Sequence, residues 1–317
     1  MKKLRALAPY LGLAAAFLLF AALGPAEFHG AYNLKTILTQ SVIVGVGAMG
    51  MTFVIISGGI DLSVGSLIAL ATVALARMLN LRGDAVPAWL PWAAGAGAIA
   101  VGAMGGLCNG FLSARLRIAP FIVTLGTMQI FRGGAKWLAR EQTVTAPATW
   151  LNGLMEVDPV PAWLWLAPGV WVLLGLAAAV AVILRYTVFG RHVYALGSNE
   201  ATARLCGIPV ERRRMLIYAV GGALAGLAGV LQFANLTLGD PTAAEGMELD
   251  IIAAVVIGGG SLRGGEGRAA GSLIGAMLMA VLRNGCNMAG IPNYMQNIVV
   301  GAIIIGAMGL DRLGNKR

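Results

Sequence analysis

Apolar runs of about 17 to 25 residues recur from one end of this chain to the other, each long enough to cross a hydrocarbon layer roughly 30 Å thick as a helix. Within lipid a segment must satisfy its own backbone hydrogen bonds, which leaves only helices or a closed barrel. Barrel strands would appear as short alternating segments, and these runs are continuous, so the pattern predicts an all-α polytopic membrane protein. Of the 317 residues 58% are hydrophobic and 12% charged, about half the charged share of a soluble domain. The runs fall near 8–24, 36–56, 62–79, 89–112, 121–138, 163–184, 215–233, 249–259, 269–282 and 293–310. They predict about ten transmembrane helices in a single transmembrane domain over 1–317, with broken or re-entrant segments near 57–62 and 258–268.

Charge placement sets the expected orientation. With the N-terminus inside and the spans alternating, most of the 23 lysines and arginines fall on inner segments. These are Lys2, Lys3 and Arg5, then Arg115 and Arg117, six arginines within 185–214, Arg263 and Arg268, and finally Arg312, Lys316 and Arg317. Asp84, Glu141, Glu156, Asp158, Asp240 and Glu245 fall on the outer side. The bias predicts cytoplasmic N- and C-termini and an even number of spans. The net charge of +9 is thus a topology signal, and no nucleic-acid partner is needed to explain it. The first run follows a basic start and resembles a signal peptide, but it has no well-defined small-residue cleavage site and reads as an uncleaved first span. Cys108, Cys206 and Cys286 are too dispersed for a disulfide framework or a metal site.

The longest polar passage, 185–214, carries His192 as well as its arginines. Gly197-Ser198-Asn199-Glu200 offers a polar helix start and Gly207-Ile208-Pro209 a stop. About two turns fit between them. The passage is either a solvated connector or a structured element offered to a cytoplasmic partner.

Glycines and alanines recur at four-residue spacing at Gly102, Gly106 and Gly110, at Gly222 and Gly226, at Ala225 and Gly229, and at Gly271 and Gly275. Small faces of this kind predict close helix packing in a compact bundle. An internal echo joins VIISGG at 54–59 with GSLI at 65–68 to VVIGGG at 255–260 with GSLI at 271–274, the second connection being five residues longer. In transporters, broken helices at corresponding positions of two repeats point to the path through the membrane.

Asp61 is the one acidic residue that this reading places deep among the spans. A carboxylate there must be satisfied. It is either an N-cap for a helix beginning at Leu62 or a solute or gating contact. So few buried ionisable groups argue against ion coupling, which places any energy source for uphill transport outside this chain. The sequence has no G-x-x-x-x-G-K-[ST], H-E-x-x-H or G-x-S-x-G. His29 and His192 stand alone, and Gly258-Gly259-Gly260-Ser261 reads as a turn. No catalytic residue, metal or cofactor is expected on this chain. Asn109, Thr124, Thr127, Gln129, Asn235, Thr237, Asn284 and Asn287 are neutral polar groups in or beside the spans, suited to helix contacts or to an uncharged hydroxylated solute. The translocation-path candidates are Gly58, Gly59, Asp61, Ser63, Asn109, Thr124, Gln129 and Asn235.

Several passages together resemble the permease subunits of bacterial ABC importers for monosaccharides, the group that includes the ribose and galactose permeases. GMTFVIISGGIDLSVGS over 50–66 carries the resemblance first, followed by Asn109-Gly110, PFIVTLG over 120–126 and Arg132-Gly133. YALGSN over 194–199 with Ala203 and Gly207-Ile208, ELDIIAAVVIGG over 248–259 and GGEG over 264–267 complete it. Gly260, Arg268 and Asn235 depart from the family's usual residues. The resemblance implies an ATPase-coupling segment at Gly197, Ser198, Asn199, Glu200, Ala203, Gly207 and Ile208. It also implies a separate cytoplasmic ATPase using ATP and Mg, a periplasmic or lipid-anchored sugar-binding protein, and a second permease copy as homodimer or sibling heterodimer, in the lipid of the inner membrane. Two alternatives stay open at this point, an ATP-independent facilitator or channel and a permease for a non-sugar solute such as a furanosyl signalling molecule.

Overall fold

A helix falls on each apolar run, and most extend past the run's ends, because the chain stays helical where it acquires charges. The computed structural model describes residues 2–83 and 86–314. The side chains of Lys2, Lys3, Arg5 and Arg312, and all of Asp84, Lys316 and Arg317, lie outside the described residues. In order, the helices are α1 (Lys2–Leu23), α2 (Ala31–Ile56), α3 (Val64–Leu79), α4 (Leu90–Arg115), α5 (Pro120–Ala139) and α6 (Pro168–Tyr186). Then follow α7 (Val188–Ser198), α8 (Glu200–Leu205), α9 (Val210–Leu236), α10 (Met247–Ile257), α11 (Ala269–Met288) and α12 (Asn293–Gly314). Proline stands in the first turn of α4, α5 and α6, where its missing N–H costs nothing. Five helical segments, α2, α4, 162–186, α9 and α11, are long and apolar enough to cross a membrane by length and composition. At 11 residues, α10 reaches only about 16 Å.

The connections gather at two ends. At one end lie the breaks 57–63 and 258–268, the α4–α5 turn, and α7 with α8. At the other, β1 (Val144–Thr145) pairs antiparallel with β2 (Leu238–Gly239), Lys35 meets Asp158 at 2.8 Å, and Asn80 Nδ2 donates to Thr145 O at 2.6 Å. The first end carries most of the described arginines, including Arg115, Arg117, Arg191, Arg204 and Arg212 to Arg214.

At the centre is α2, whose apolar window is 94% buried; α6, α9, α10 and α11 pack around it in one apolar core. The small faces meet one another. Gly102 and Gly106 of α4 lie against the backbone of Gly222 and Tyr218 in α9, and Gly226 lies 2.6 Å, measured from an added Cβ, from Ala98 O. Side chains at these positions would force the helices apart. Gly271 and Gly275 similarly bring α11 against Gly258 and Ala254. The four-residue spacing is used inside the protomer, as compact packing required.

Candidate transport site and coupling segment

Both breaks leave their helices in the same way. After α2, Gly58 N donates to Ile55 O and Gly59 N to Val54 O, each at 2.9 Å; after α10, Gly259 N donates to Val256 O and Gly260 N to Val255 O, again at 2.9 Å. Gly58 and Gly259 are left-handed, at φ 83° and 93°. This is the Schellman ending, which satisfies two of the last carbonyls and needs a residue without Cβ strain at the turn. The echo between 54–59 and 255–260 is therefore an echo of geometry as well as letters.

Between α2 and α3 the chain turns on Asp61. Its Oδ1 accepts from Ser63 N at 2.8 Å and Ser63 Oγ at 2.6 Å, and its Oδ2 accepts from Asn109 Nδ2 at 3.5 Å. Asn109 Nδ2 also donates to Ser63 Oγ at 2.8 Å. Thr124 Oγ1, at the start of α5, donates to Ile60 O at 3.2 Å. Asp61, Ser63, Asn109 and Thr124 are all buried. The helix starts at Val64, with Ser63 in the cap position but making no side-chain cap. The carboxylate therefore closes the turn ahead of the helix, where the sequence predicted a cap directly before Leu62. The Ser63 hydroxyl is committed to Asp61 and unavailable to the helix.

Six of the eight path candidates, Gly58, Gly59, Asp61, Ser63, Asn109 and Thr124, thus sit together. The other two do not. Gln129 lies on the exposed side of α5 and Asn235 is exposed near the end of α9, and alternation of the helices puts Asn235 at the end opposite the breaks. Three buried polar atoms near the Asp61 cluster have no hydrogen-bond partner among the described residues: Asn109 Oδ1, Ser113 Oγ and Tyr218 OH. An added Cβ at Gly59 would collide with Tyr218 OH. Ser113 and Gly58 also line a cleft of about 640 Å³ with Arg117, Glu200, Arg204 and Arg214. A larger cleft, about 890 Å³, lies at the opposite end around Arg77, Lys136 and Arg140. It touches none of the six clustered residues.

The polar passage folds as two helices. α8 has the predicted limits: Asn199 Oδ1 accepts from Thr202 N at 2.9 Å, Gly207 is left-handed at φ 80°, and Gly207 N and Ile208 N donate to Arg204 O and Ala203 O, both at 3.1 Å. Ion pairs hold it in place, Arg204 to Glu211 at 2.6 Å and Glu200 to Arg214 of α9. Gly197 is not a helix-end glycine of α8, as the sequence reading had it. It lies in the last turn of α7, a helix that no apolar run marks, and packs on Ile56 O and Gly265 N. Burial together with Arg213 and Arg191 pushes the His192 imidazole below its ordinary range.

The expectation of one deep acidic residue needs correcting. Asp250 in α10 is buried and ion-paired with Arg283 of α11, and Glu248 is half-buried beside Gly65. The ninth apolar run ends at 282, one residue before this arginine, because a charge interrupts the apolar pattern while the helix continues to Met288. Opposite charges at the edges of neighbouring runs were the available signal. Among the described residues no group of three His, Cys, Asp or Glu side chains could hold a metal ion.

Residues 33–308 match the family described as branched-chain amino acid transport system / permease component. The chain is 39% identical over 285 residues to the ribose import permease protein RbsC of Escherichia coli (strain K12), covering 90% of this chain and 87% of that one. It is 39% identical over 317 residues to the RbsC of Bacillus subtilis (strain 168), covering 96% and 92%, and 34% identical over 286 residues to the L-arabinose transport system permease protein AraH of Escherichia coli (strain K12), covering 90% and 84%. No solved structure matches.

Proposed function

The chain belongs to the family of branched-chain amino acid transport system permease components, and from that premise we propose that it is the membrane subunit of an ABC importer for a monosaccharide, a pentose or a hexose. The observation that carries the reading is identity to ribose and L-arabinose permeases along nine-tenths of the chain. The ten helices on the ten apolar runs are its spans, and the end rich in arginine faces the cytoplasm. There α8, capped at both ends and ion-paired with α9, meets a separate ATPase that uses ATP and Mg. A periplasmic or lipid-anchored binding protein delivers the sugar at the opposite end. An ATP-independent facilitator would have no use for a structured α8.

A second permease copy fits α5. Ile122, Ile130 and Trp137 are 60%, 68% and 81% exposed, and an added Cβ at Gly126 or Gly133 would touch nothing. Gln129 lies on the exposed side of the same helix, where two copies would enclose a path between them. The buried Asp61 cluster acts behind that path by holding α5 through Thr124.

Reconstitution in vesicles with a cognate ATPase and sugar-binding protein, followed by uptake of a panel of labelled monosaccharides, tests the reading. ATP-dependent accumulation of one of them is expected. Equal uptake with and without ATP would overturn it.

A further inference from the structure

We propose that the last turns of α7, from Tyr194 to Ser198, are a positioning element that locks the two helix breaks into one body, so that a displacement of α8 reaches both halves of the molecule together. The inference rests on the reading of α8 as the ATPase contact only for the source of the displacement; the lock itself is a property of this chain.

Three segments converge here with almost no side chain between them. Gly265 N, in the second break, donates to Ile56 O at 2.8 Å. That carbonyl is the last of α2 and has no partner in its own helix, so the second break supplies what the first helix lacks. Gly197 of α7 rests on the same spot: an added Cβ would enter the Ile56 carbonyl and come within 2.5 Å of Gly265 N. Gly264, at φ 84°, is enclosed on both sides, its added Cβ lying 2.7 Å from Gly197 O and 2.9 Å from Gly58 Cα. One at Gly265 would lie 2.8 Å from Ser198 Oγ. Two further contacts fix the angle of α7. Tyr194 OH donates to Gly267 O at 2.8 Å, and the rings of Phe189 and Phe53 pack with centroids 5.7 Å apart. Burial raises the Tyr194 hydroxyl above its ordinary range, which keeps it protonated and donating.

No slack separates this junction from α8. Asn199 ends α7, with its N–H donating to Ala195 O at 3.1 Å, and begins α8 with its side chain. One residue joins two helices, and a rigid pair of helices transmits movement that a loop would absorb. Beyond the junction the first break leads through Ile60 O to Thr124 of α5, while the second leads directly into α11.

Tyr194→Phe removes one hydroxyl and leaves the ring, and Gly197→Ala inserts one methyl at the point of contact. Hydrogen exchange on the purified, full-length permease reads the lock without any ATPase. In Tyr194→Phe, exchange within 261–268 is expected to rise about fivefold, the opening change that goes with one lost hydrogen bond. The discriminating expectation is that exchange within 57–63, where the Tyr194 hydroxyl has no hydrogen-bond partner among the described residues, rises with it. A rise confined to 261–268, or none, overturns the proposal whatever α8 contacts. In vesicles holding the complete importer, the same variant should keep its ATPase and hydrolyse ATP while moving fewer sugars per ATP, and Gly197→Ala should do so more severely or fail to assemble. Unchanged transport per ATP in Tyr194→Phe would overturn the transmitting role. A wild-type complex that neither holds an ATPase nor responds to ATP would instead bring down the reading of α8, and the exchange result would still decide the lock.

Discussion

The first and second breaks leave their helices through the same pair of hydrogen bonds and the same left-handed glycine, yet they are held by opposite means. In the first, a buried carboxylate, Asp61, gathers Ser63 and Asn109 and ties the turn to α4. The residue at the corresponding place in the second is Leu262, and the longer connection is held by its own backbone, with Ser261 N donating to Glu266 O at 3.1 Å. Its own charges, Arg263, Glu266 and Arg268, are exposed, and what reaches it from outside is Ile56 O, accepting from Gly265 N, and the Tyr194 hydroxyl on Gly267 O. One exit geometry can thus be stabilised from inside by a polar hub or from outside by neighbours. The outside-held break stays partly exposed and is the one that Tyr194 reaches.

The sharpest way to break this contrast is to delete each break's carboxylate. Asp61→Ala strands buried donors and is expected to cost about 3 kcal/mol, read as a lower unfolding midpoint in detergent, with Asp61→Asn losing less. Glu266→Ala, in the exposed second break, should stay within about 0.5 kcal/mol. Comparable losses in the two would mean that the breaks are held alike.

Arg283→Ala leaves Asp250 buried without its partner. Because the arginine side chain is 38% exposed, the loss should fall below the usual range for a broken buried pair, at about 2 kcal/mol. A double-mutant cycle with Asp250→Asn measures it, and a coupling near zero would remove the ion pair from the account. Thr124→Val forfeits one hydrogen bond to Ile60 O and should cost about 1 kcal/mol. If that variant melts like the wild type, the first break does not hold α5 through this bond. The shared exit gives an effect of similar size. Gly259→Ala places a Cβ in open space and Gly58→Ala places one at ordinary contact distance, 3.8 Å from Gly197 Cα, both on left-handed residues, so both should lose about 1 kcal/mol and by the same amount. Unequal losses would show that the two exits are alike only in outline.

Local chemistry accounts for what could be read from the sequence. The apolar runs placed ten helices to within a few residues. Asn199 and Gly207 fixed α8, because a cap and a left-handed stop each depend on neighbours within about one turn. The repeated VIISGG and VVIGGG strings marked both breaks, and Asp61 stood out because a charge among apolar runs has to be satisfied. The sequence could not say what would satisfy it. Ser63 lies beside it in the chain, but Asn109 and Thr124 arrive from α4 and α5, and only the tertiary structure separates them from Gln129 and Asn235, which have similar side chains and similar settings. Gly197 reads as a helix-end glycine until Ile56 and Gly265 are brought to it from distant parts of the chain. Arg283 ends an apolar run until α10 places Asp250 opposite. The sequence by itself determined where most helices start and stop and where the two breaks fall, with α7 the exception, since those choices are settled by hydrogen bonds a few residues long. Which break is anchored by a carboxylate hub, and which by a neighbouring helix, depends on contacts between residues far apart in the chain, and those exist only once the helices have packed.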